Sequence, residues 1–317
     1  MEYVQVTVYT NTAGIEPLTL ALSNIGINGC AIEDAADFDE FLKEVTPHWD
    51  YVDEELMKKM QNAESNVRVF LPKNAQGAEQ LAGLRGIAKS LAQEGRYGRM
   101  AVELEDVRDE DWASAWKQYF KPIEVGKKFL IKPSWEPCPQ TERYVLEMDP
   151  GNAFGSGTHE TTQLCVTLLE DVVEKGARVL DMGCGSGILA TAALLCGAGD
   201  VTAVDIDEAA VKTAGENLER NGFTAYRTFC GNVLADGALA EKIGDGYDVI
   251  LANIVADVII GMAPLFVRQL KTDGTLIVSG IIGTRALEVR AALEETGFAV
   301  VREERRNDWV AYAMKRA

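Results

Sequence analysis

Apolar and polar positions along the chain fall into two regimes. Up to residue 107 the pattern switches between period two and helical spacing. "YVQVTVYT" (3–10) alternates and predicts a half-buried strand. "GIEPLTLALSNIG" (14–26) predicts a helix ending at Gly26, followed by a strand in "NGCAIED" (28–34). "SNVRVFLP" (65–72), "AEQLAGLRGIAKSLAQEG" (78–95) and "MAVELEDV" (100–107) then read as strand, helix and strand. This β-α-β, β-α-β order is the ferredoxin-like split arrangement. From residue 178 the regime changes. Short apolar runs, the first four closed by an acid or an asparagine, alternate with helical segments. "RVLD", "VTAVD", "AYRTFCGN", "YDVILAN" and "GTLIVSGII" supply five strands, ending near Asp181, Asp205, Asn232, Asn253 and Ile282. "FAVVREERR" and "WVAYAMKR" follow with only a short linker between them, so this last pair is predicted to be antiparallel. Strands alternating with helices predict a doubly wound, mostly parallel sheet.

Between the regimes runs a segment dense in aromatics: Trp112, Trp116, Tyr119, Phe120, Phe129 and Trp135. It is too hydrophobic for a free linker. The reading is a helix near 109–120 and then a short strand pair, packed on the C-terminal domain. The domains are expected at 1–106, 107–145 (connector) and 146–317.

The candidate chemistry begins at "LDMGCGSGILA" (180–190). Gly183, Gly185 and Gly187 sit between a strand and a helix, where backbone N–H groups can meet a nucleotide. The dinucleotide fingerprint would need a third glycine at 188, and Ile188 is there. Asp181 ahead of the glycines would repel a pyrophosphate and attract a cationic amino acid moiety. An adenosine end with a positive end describes S-adenosylmethionine. A tight turn without a ligand is the alternative. Asp205 stands where Rossmann-type folds hold ribose hydroxyls, with a helix cap as its other reading. Asp207 is expected to cap the following helix.

Upstream, "MDPGNAFGSGTHETTQLC" (148–165) is a glycine-rich loop entering a helix. It is expected to fold over the ligand, with Phe154 on the substrate side and Thr162 reaching the cofactor. His159 is its titratable residue, either functional or a structural cap. The only other histidine is His48.

Composition narrows the classes. The formal charge is −18, and Lys and Arg form no cluster, which disfavours naked nucleic acid. Acids gather instead at Glu33, Asp34, Asp37, Asp39, Glu40 and Glu44, and again at Asp50, Asp53, Glu54 and Glu55. They form either a solvated face or a surface that attracts a basic macromolecule. No apolar run approaches the ~20 residues of a membrane span. "MEYVQVTVYT" lacks a signal-peptide core. The six cysteines, at 30, 138, 165, 184, 196 and 230, form no C-x-x-C pair. Reduced thiols, a cytoplasmic location and no metal site are expected.

Six stretches together carry a resemblance: "EDVRDEDWASAWKQYFKPIEVGKKFLIKPSW", "DPGNAFGSGTHETT", "LDMGCGSGILA", "AVDID", "LANIVA" and the late "NDW". They span nearly the whole chain, which resembles the ribosomal protein L11 methyltransferase (PrmA) family. The resemblance implies a Rossmann-like class I methyltransferase domain preceded by a ferredoxin-like domain that binds ribosomal protein L11. It implies trimethylation of amines, and carries cofactor contact onto Thr162, Gly183, Asp205 and Asn253. Two departures are the acidic insertion near 35–60 and the extended stretch 232–247.

Methyl transfer from a sulfonium to an amine is an in-line displacement, and it needs an unprotonated amine. A free lysine has a pKa of ~10.4 and an α-amine ~7.7–8.0. A nearby positive charge and desolvation lower both, so no strong protein base is required. Asn253 is expected to hold the amine. Methyltransferases acting on flat acceptors carry "NPPY" there, and this chain has "NIVA", which favours an sp³ amine. A turn-forming asparagine is the other reading of Asn253.

The expected site is therefore Asn253 and His159 for the chemistry, and Thr162, Asp181, Gly183, Gly185, Gly187, Asp205, Ile206, Asn232 and Asn253 for S-adenosylmethionine. Phe154 and Trp309 are expected on the substrate side, and the protein is expected to be a monomer. Competing readings are a dehydrogenase, a non-catalytic ribosome-binding adaptor, and a methyltransferase for another protein or a small-molecule amine.

Overall fold

The computed structural model describes residues 3–27, 29–34, 64–104, 120–149 and 155–317. The acidic insertion, the helix expected near 109–120 with Trp112, Trp116 and Tyr119, and Phe154 lie outside the described residues. The chain divides into two compact units, Met1–Lys117 and Gln118–Ala317.

In the first unit the elements are β1 (Tyr3–Tyr9), α1 (Thr12–Ser23), β2 (Cys30–Glu33), β3 (Asn66–Pro72), α2 (Ala75–Gln93) and β4 (Ala101–Leu104). The sheet order is β2-β3-β1-β4, antiparallel throughout, which is the ferredoxin-like arrangement. Alternation in the sequence becomes burial here. Val4, Val6 and Val8 face Leu71, Val69 and Val67 across the β1–β3 ladder, and all six are buried. Leu18, Leu22, Leu81 and Leu84 close this core from the helices. Each such side chain contributes roughly 1.5–3 kcal/mol by leaving water. Both helices begin earlier than the apolar pattern suggests. Asn11 and Asn74 cap them, their side chains accepting from Gly14 and Gly77 N–H at 3.0 Å each.

The second unit opens with β5 (Ile123–Val125), β6 (Phe129–Pro133) and β7 (Tyr144–Met148), a three-stranded sheet in sequence order. β5–β6 is the expected strand pair, and β7 adds to it in parallel. Phe129 is buried in the core of this unit. The β5–β6 turn is pinned by Glu170, whose carboxylate accepts from the N–H groups of Lys127 and Lys128 at 2.9 Å.

Next come α3 (Glu160–Val172), β8 (Arg178–Met182), α4 (Ile188–Leu195), β9 (Asp200–Asp205), α5 (Glu208–Arg220) and β10 (Arg227–Cys230). The chain ends with α6 (Gly237–Ile243), β11 (Tyr247–Asn253), α7 (Ala256–Gln269), β12 (Leu270–Ile282), α8 (Ala286–Glu295), β13 (Phe298–Arg306) and β14 (Trp309–Arg316). The seven strands lie in the order β10-β9-β8-β11-β12-β14-β13. Only β14 runs opposite to the other six strands, inserted between β12 and β13. Residues of α3, α4 and α5 pack on one face of the sheet, and residues of α6, α7 and α8 on the other.

The outer edge of β7 and the residue after it are satisfied by side chains of α5 and its C-cap. Asn221 accepts from Glu147 N–H at 2.9 Å and donates to the Glu147 carbonyl at 2.7 Å. Asn217 treats Asp149 in the same way, at 2.9 and 3.0 Å. The match is geometric. Four residues of helix rise about 6 Å, and two residues of strand span about 6.6 Å.

Candidate active site

The strand order reverses between β8 and β11, and there the carboxyl ends of neighbouring strands diverge to form a crevice. The candidate residues gather at this point. The turn Gly183–Gly187 links β8 to α4. Gly183 and Gly187 have φ of 75° and 79°, in the left-handed region. A Cβ on Gly183 would lie 2.2 Å from Cγ2 of Ile254, so glycine lets the ends of β8 and β11 approach each other. A Cβ on Gly187 would lie 2.9 Å from Cα of Ala214 in α5.

Four of the turn's N–H groups are engaged within the protein. Gly183 and Cys184 donate to the Val204 carbonyl at 2.8 and 3.0 Å. Gly185 donates to Oδ2 of Asp205 at 2.9 Å, and Gly187 to the Cys184 carbonyl at 2.8 Å. A turn spent in this way offers little to an anion and leaves recognition to the acids around it.

Asp181 is fully buried. Its Oδ2 accepts the N–H of Ala190, in the first turn of α4, at 3.0 Å. Its Oδ1 has no hydrogen-bond partner among the described residues. Burial pushes the Asp181 carboxyl up to about 7; the Ala190 N–H opposes this and the charge of Asp205 adds to it. The buried thiols of Cys165 and Cys184 are pushed up too, by burial first and then by the charge of Asp181.

Asp205 ends β9. Oδ1 accepts from Asp207 N–H and Oδ2 from Gly185 N–H, each at 2.9 Å. Burial raises its carboxyl, and those two N–H groups oppose the rise. Asp207, as expected, caps α5 through Ala209 N–H at 3.1 Å. A carboxylate has about four acceptor positions, so Asp205 retains capacity for two hydroxyls. Ile206 beside it is 53% exposed, an apolar platform at the crevice. Asn232 follows β10 and turns its Oδ1 onto Leu234 N–H at 3.0 Å.

Asn253 ends β11. Its Nδ2 lies 3.4 Å from Oγ1 of Thr162, which is fully buried on α3. Its Oδ1 is buried and unpartnered among the described residues. Two orphaned acceptors, Asp181 Oδ1 and Asn253 Oδ1, thus stand near the ends of adjacent strands. Leaving them unpaired is costly unless a donor arrives. An ammonium-bearing ligand meets that requirement.

The glycine-rich loop lies on the same turn, since Ser186 donates its hydroxyl to the Gly155 carbonyl. His159 is buried and caps α3. Its Nδ1 accepts from Thr161 N–H at 3.3 Å and pairs with Thr161 Oγ1 at 2.9 Å. Trp309 packs edge-on against the His159 ring, with centroids 5.0 Å apart, so it braces the cap. Sequence reasoning missed Asn217 and Ser186. The detectable signal was a pair of asparagines four apart in a helix, where asparagine is a poor former. Among the described residues no group of His, Cys, Asp and Glu is placed to hold a metal ion, and no helix is long and apolar enough to cross a membrane.

Asp205→Ala is expected to weaken cofactor affinity at least about tenfold, through lost charge-assisted bonds and a loosened Gly185. Calorimetry on the folded variant checks this, and unchanged affinity would remove Asp205 from the site.

Sheet order, glycine turn and the paired acids define a Rossmann-like, class I methyltransferase domain. A family model described as Ribosomal protein L11 methyltransferase (PrmA) matches residues 2–317. The chain is 40% identical over 319 residues to the ribosomal protein L11 methyltransferase of Pelotomaculum thermopropionicum, covering 99% of each chain. It is 38% identical over 315 residues to that of Desulforamulus reducens, covering 98% of each. The crystal structure of ribosomal protein L11 methylase from Lactobacillus delbrueckii subsp. bulgaricus aligns with a TM-score of 0.57 at 33% identity, over 62% of this chain and 99% of that one. The chain belongs to the ribosomal protein L11 methyltransferase (PrmA) family and is a methyltransferase.

Proposed function

We propose that this protein transfers methyl groups from S-adenosylmethionine to amines of ribosomal protein L11, on lysine side chains, the N-terminal α-amine or both. The observation that carries this reading is the pair of buried, unpartnered acceptors, Asp181 Oδ1 and Asn253 Oδ1, at the strand-order reversal. S-adenosylmethionine, when bound, supplies an electrophilic methyl on a sulfonium. Asp205 accepts the ribose hydroxyls, Ile206 and Asn232 line the adenine end, and Asp181 meets the ammonium end. Asn253, steadied by Thr162, holds the acceptor amine through its carboxamide oxygen. Positioning of this kind supplies much of the acceleration.

No enzyme base is assigned. His159 Nδ1 is an acceptor in the α3 cap, so a neutral ring carries its proton on Nε2 and has no lone pair to offer the amine. His159→Ala is therefore expected to cost less than about tenfold in turnover and to leave the shape of the pH–rate profile unchanged. Loss of a true general base would cost about 10²–10⁴-fold and flatten the profile.

The ferredoxin-like unit is assigned to docking of the protein substrate, because no catalytic cluster stands out in its sequence. The deciding experiment incubates the full chain with L11, with a mixture of other ribosomal proteins, and with free amines, each with labelled S-adenosylmethionine, and locates the label by mass. Label on L11 amines is expected. Label only on another protein or on a small amine would replace the substrate assignment, and label on none would overturn the reading.

A further inference from the structure

Asn221 forms a pincer on Glu147 in β7 and Asn217 an equivalent one on Asp149, the residue after β7, but the remaining hydrogen of each amide goes to a different place. Asn221 donates its second bond to the Asn217 carbonyl at 2.8 Å, within its own helix. Asn217 donates its second bond to the Ser186 carbonyl at 2.9 Å, inside the glycine turn. Both of its amide hydrogens are then used, on Asp149 and Ser186, and its oxygen is engaged by Asp149 N–H. The Asn217 side chain is 1% exposed, so none of these bonds is readily replaced by water. Ser186, itself fully buried, passes the connection on through its hydroxyl to Gly155. One carboxamide therefore ties together the end of β7, the glycine turn and, through Ser186, the loop that lies on that turn. The same helix approaches the turn at Ala214, where only a glycine at 187 fits.

We infer that Asn217 is a positioning residue for cofactor binding, holding the glycine turn in register with the end of β7. This rests on the reading of that turn as the S-adenosylmethionine site. Asn221 serves as the internal control, because it makes the same pair of bonds two residues earlier, to Glu147, and none to the turn.

The test is calorimetric titration of S-adenosylmethionine into the full chain, with Tm measured alongside, for wild type, Asn217→Ala, Asn217→Asp and Asn221→Ala. Asn217→Asp keeps the acceptor for Asp149 N–H and removes both donors, so it breaks the bonds to the Ser186 and Asp149 carbonyls with little change of shape. Both Asn217 variants are expected to raise Kd about fivefold or more, the effect of losing the one buried hydrogen bond that reaches the turn. Asn221→Ala is expected to lower Tm as much as Asn217→Ala while changing Kd less than about twofold. If wild type binds no S-adenosylmethionine, the site assignment fails and takes this inference with it. If wild type binds and the Asn217 variants bind equally well, or Asn221→Ala weakens binding as much as they do, the positioning role is overturned. Loss of the fold in both Asn217 variants, with Asn221→Ala still folded, also overturns it, since Asn217 would then serve folding.

Discussion

Asn253→Ala is expected to lower methyl-transfer turnover about a hundredfold, the scale of misplacing a reacting group by about an ångström. The residue ends β11 beside the strand-order reversal, with Nδ2 at 3.4 Å from Thr162 Oγ1 and a buried Oδ1 that has no partner among the described residues. Alanine removes the acceptor that holds the amine. It also relieves a buried, unpaired oxygen, so the substitution need not destabilise the fold. The combination is diagnostic: Tm held or raised while turnover collapses. Single-turnover rates at saturating S-adenosylmethionine, with Tm measured in parallel, read both. A variant that retains turnover would leave Asn253 as a turn-forming residue at a strand end.

Much of this architecture was legible in the sequence because its signals are local. The runs 247–253, 298–306 and 309–316 are bounded by a glycine, an asparagine or a two-residue turn, and the strands begin and end there, while the runs closed by Asp181 and Asp205 fall within β8 and β9. The starts of α1 and α2 were read two or three residues late. Asn11 and Asn74 cap the helices from outside the apolar pattern, and only their bonds to Gly14 and Gly77 reveal them. At the site the residue types were readable and the bonding was not. That Gly183 and Cys184 N–H groups go to the Val204 carbonyl depends on how β9 lies beside β8. The cap alternative for His159 could be stated from its position before "ETTQ". Which nitrogen accepts, and that Trp309 braces the ring from a strand some 150 residues later, required the fold. Asn217 was not singled out in the sequence. Its partners, Asp149 and Ser186, are 68 and 31 residues away.

Asp181→Asn is expected to reduce S-adenosylmethionine affinity by about tenfold to a hundredfold at pH 8, the cost of a lost charge-assisted bond. The same variant is expected to abolish a pH dependence of stability. In the ligand-free protein, burial raises the Asp181 carboxyl from its ordinary value to about 7, with Asp205 adding to the rise and the Ala190 N–H opposing it. The groups that couple to it, Asp205 and the thiols of Cys165 and Cys184, supply no positive charge. The native state therefore holds a proton that the unfolded chain releases near its ordinary ~3.9. The stability this group contributes is fully present below about pH 4, falls as pH rises, and is lost above about pH 7. Asparagine stays neutral and removes the slope, so Tm of the variant should fall less than that of wild type between pH 5 and 8. Binding responds in the opposite sense, because a cationic ligand end selects the ionised carboxylate. Wild-type affinity should rise from pH 6 towards 8, as the carboxylate ionises without help. It should then fall as the ligand's own α-amine loses its proton near ~7.7–8.0. Below pH 7 binding should also expel a proton, which calorimetry in buffers of different ionisation enthalpy detects directly. In Asp181→Asn the rise and the expelled proton should both vanish, leaving only the fall at high pH. A wild-type affinity that is flat from pH 6 to 8, or a variant that still releases the proton, would show that Asp181 does not face the ammonium.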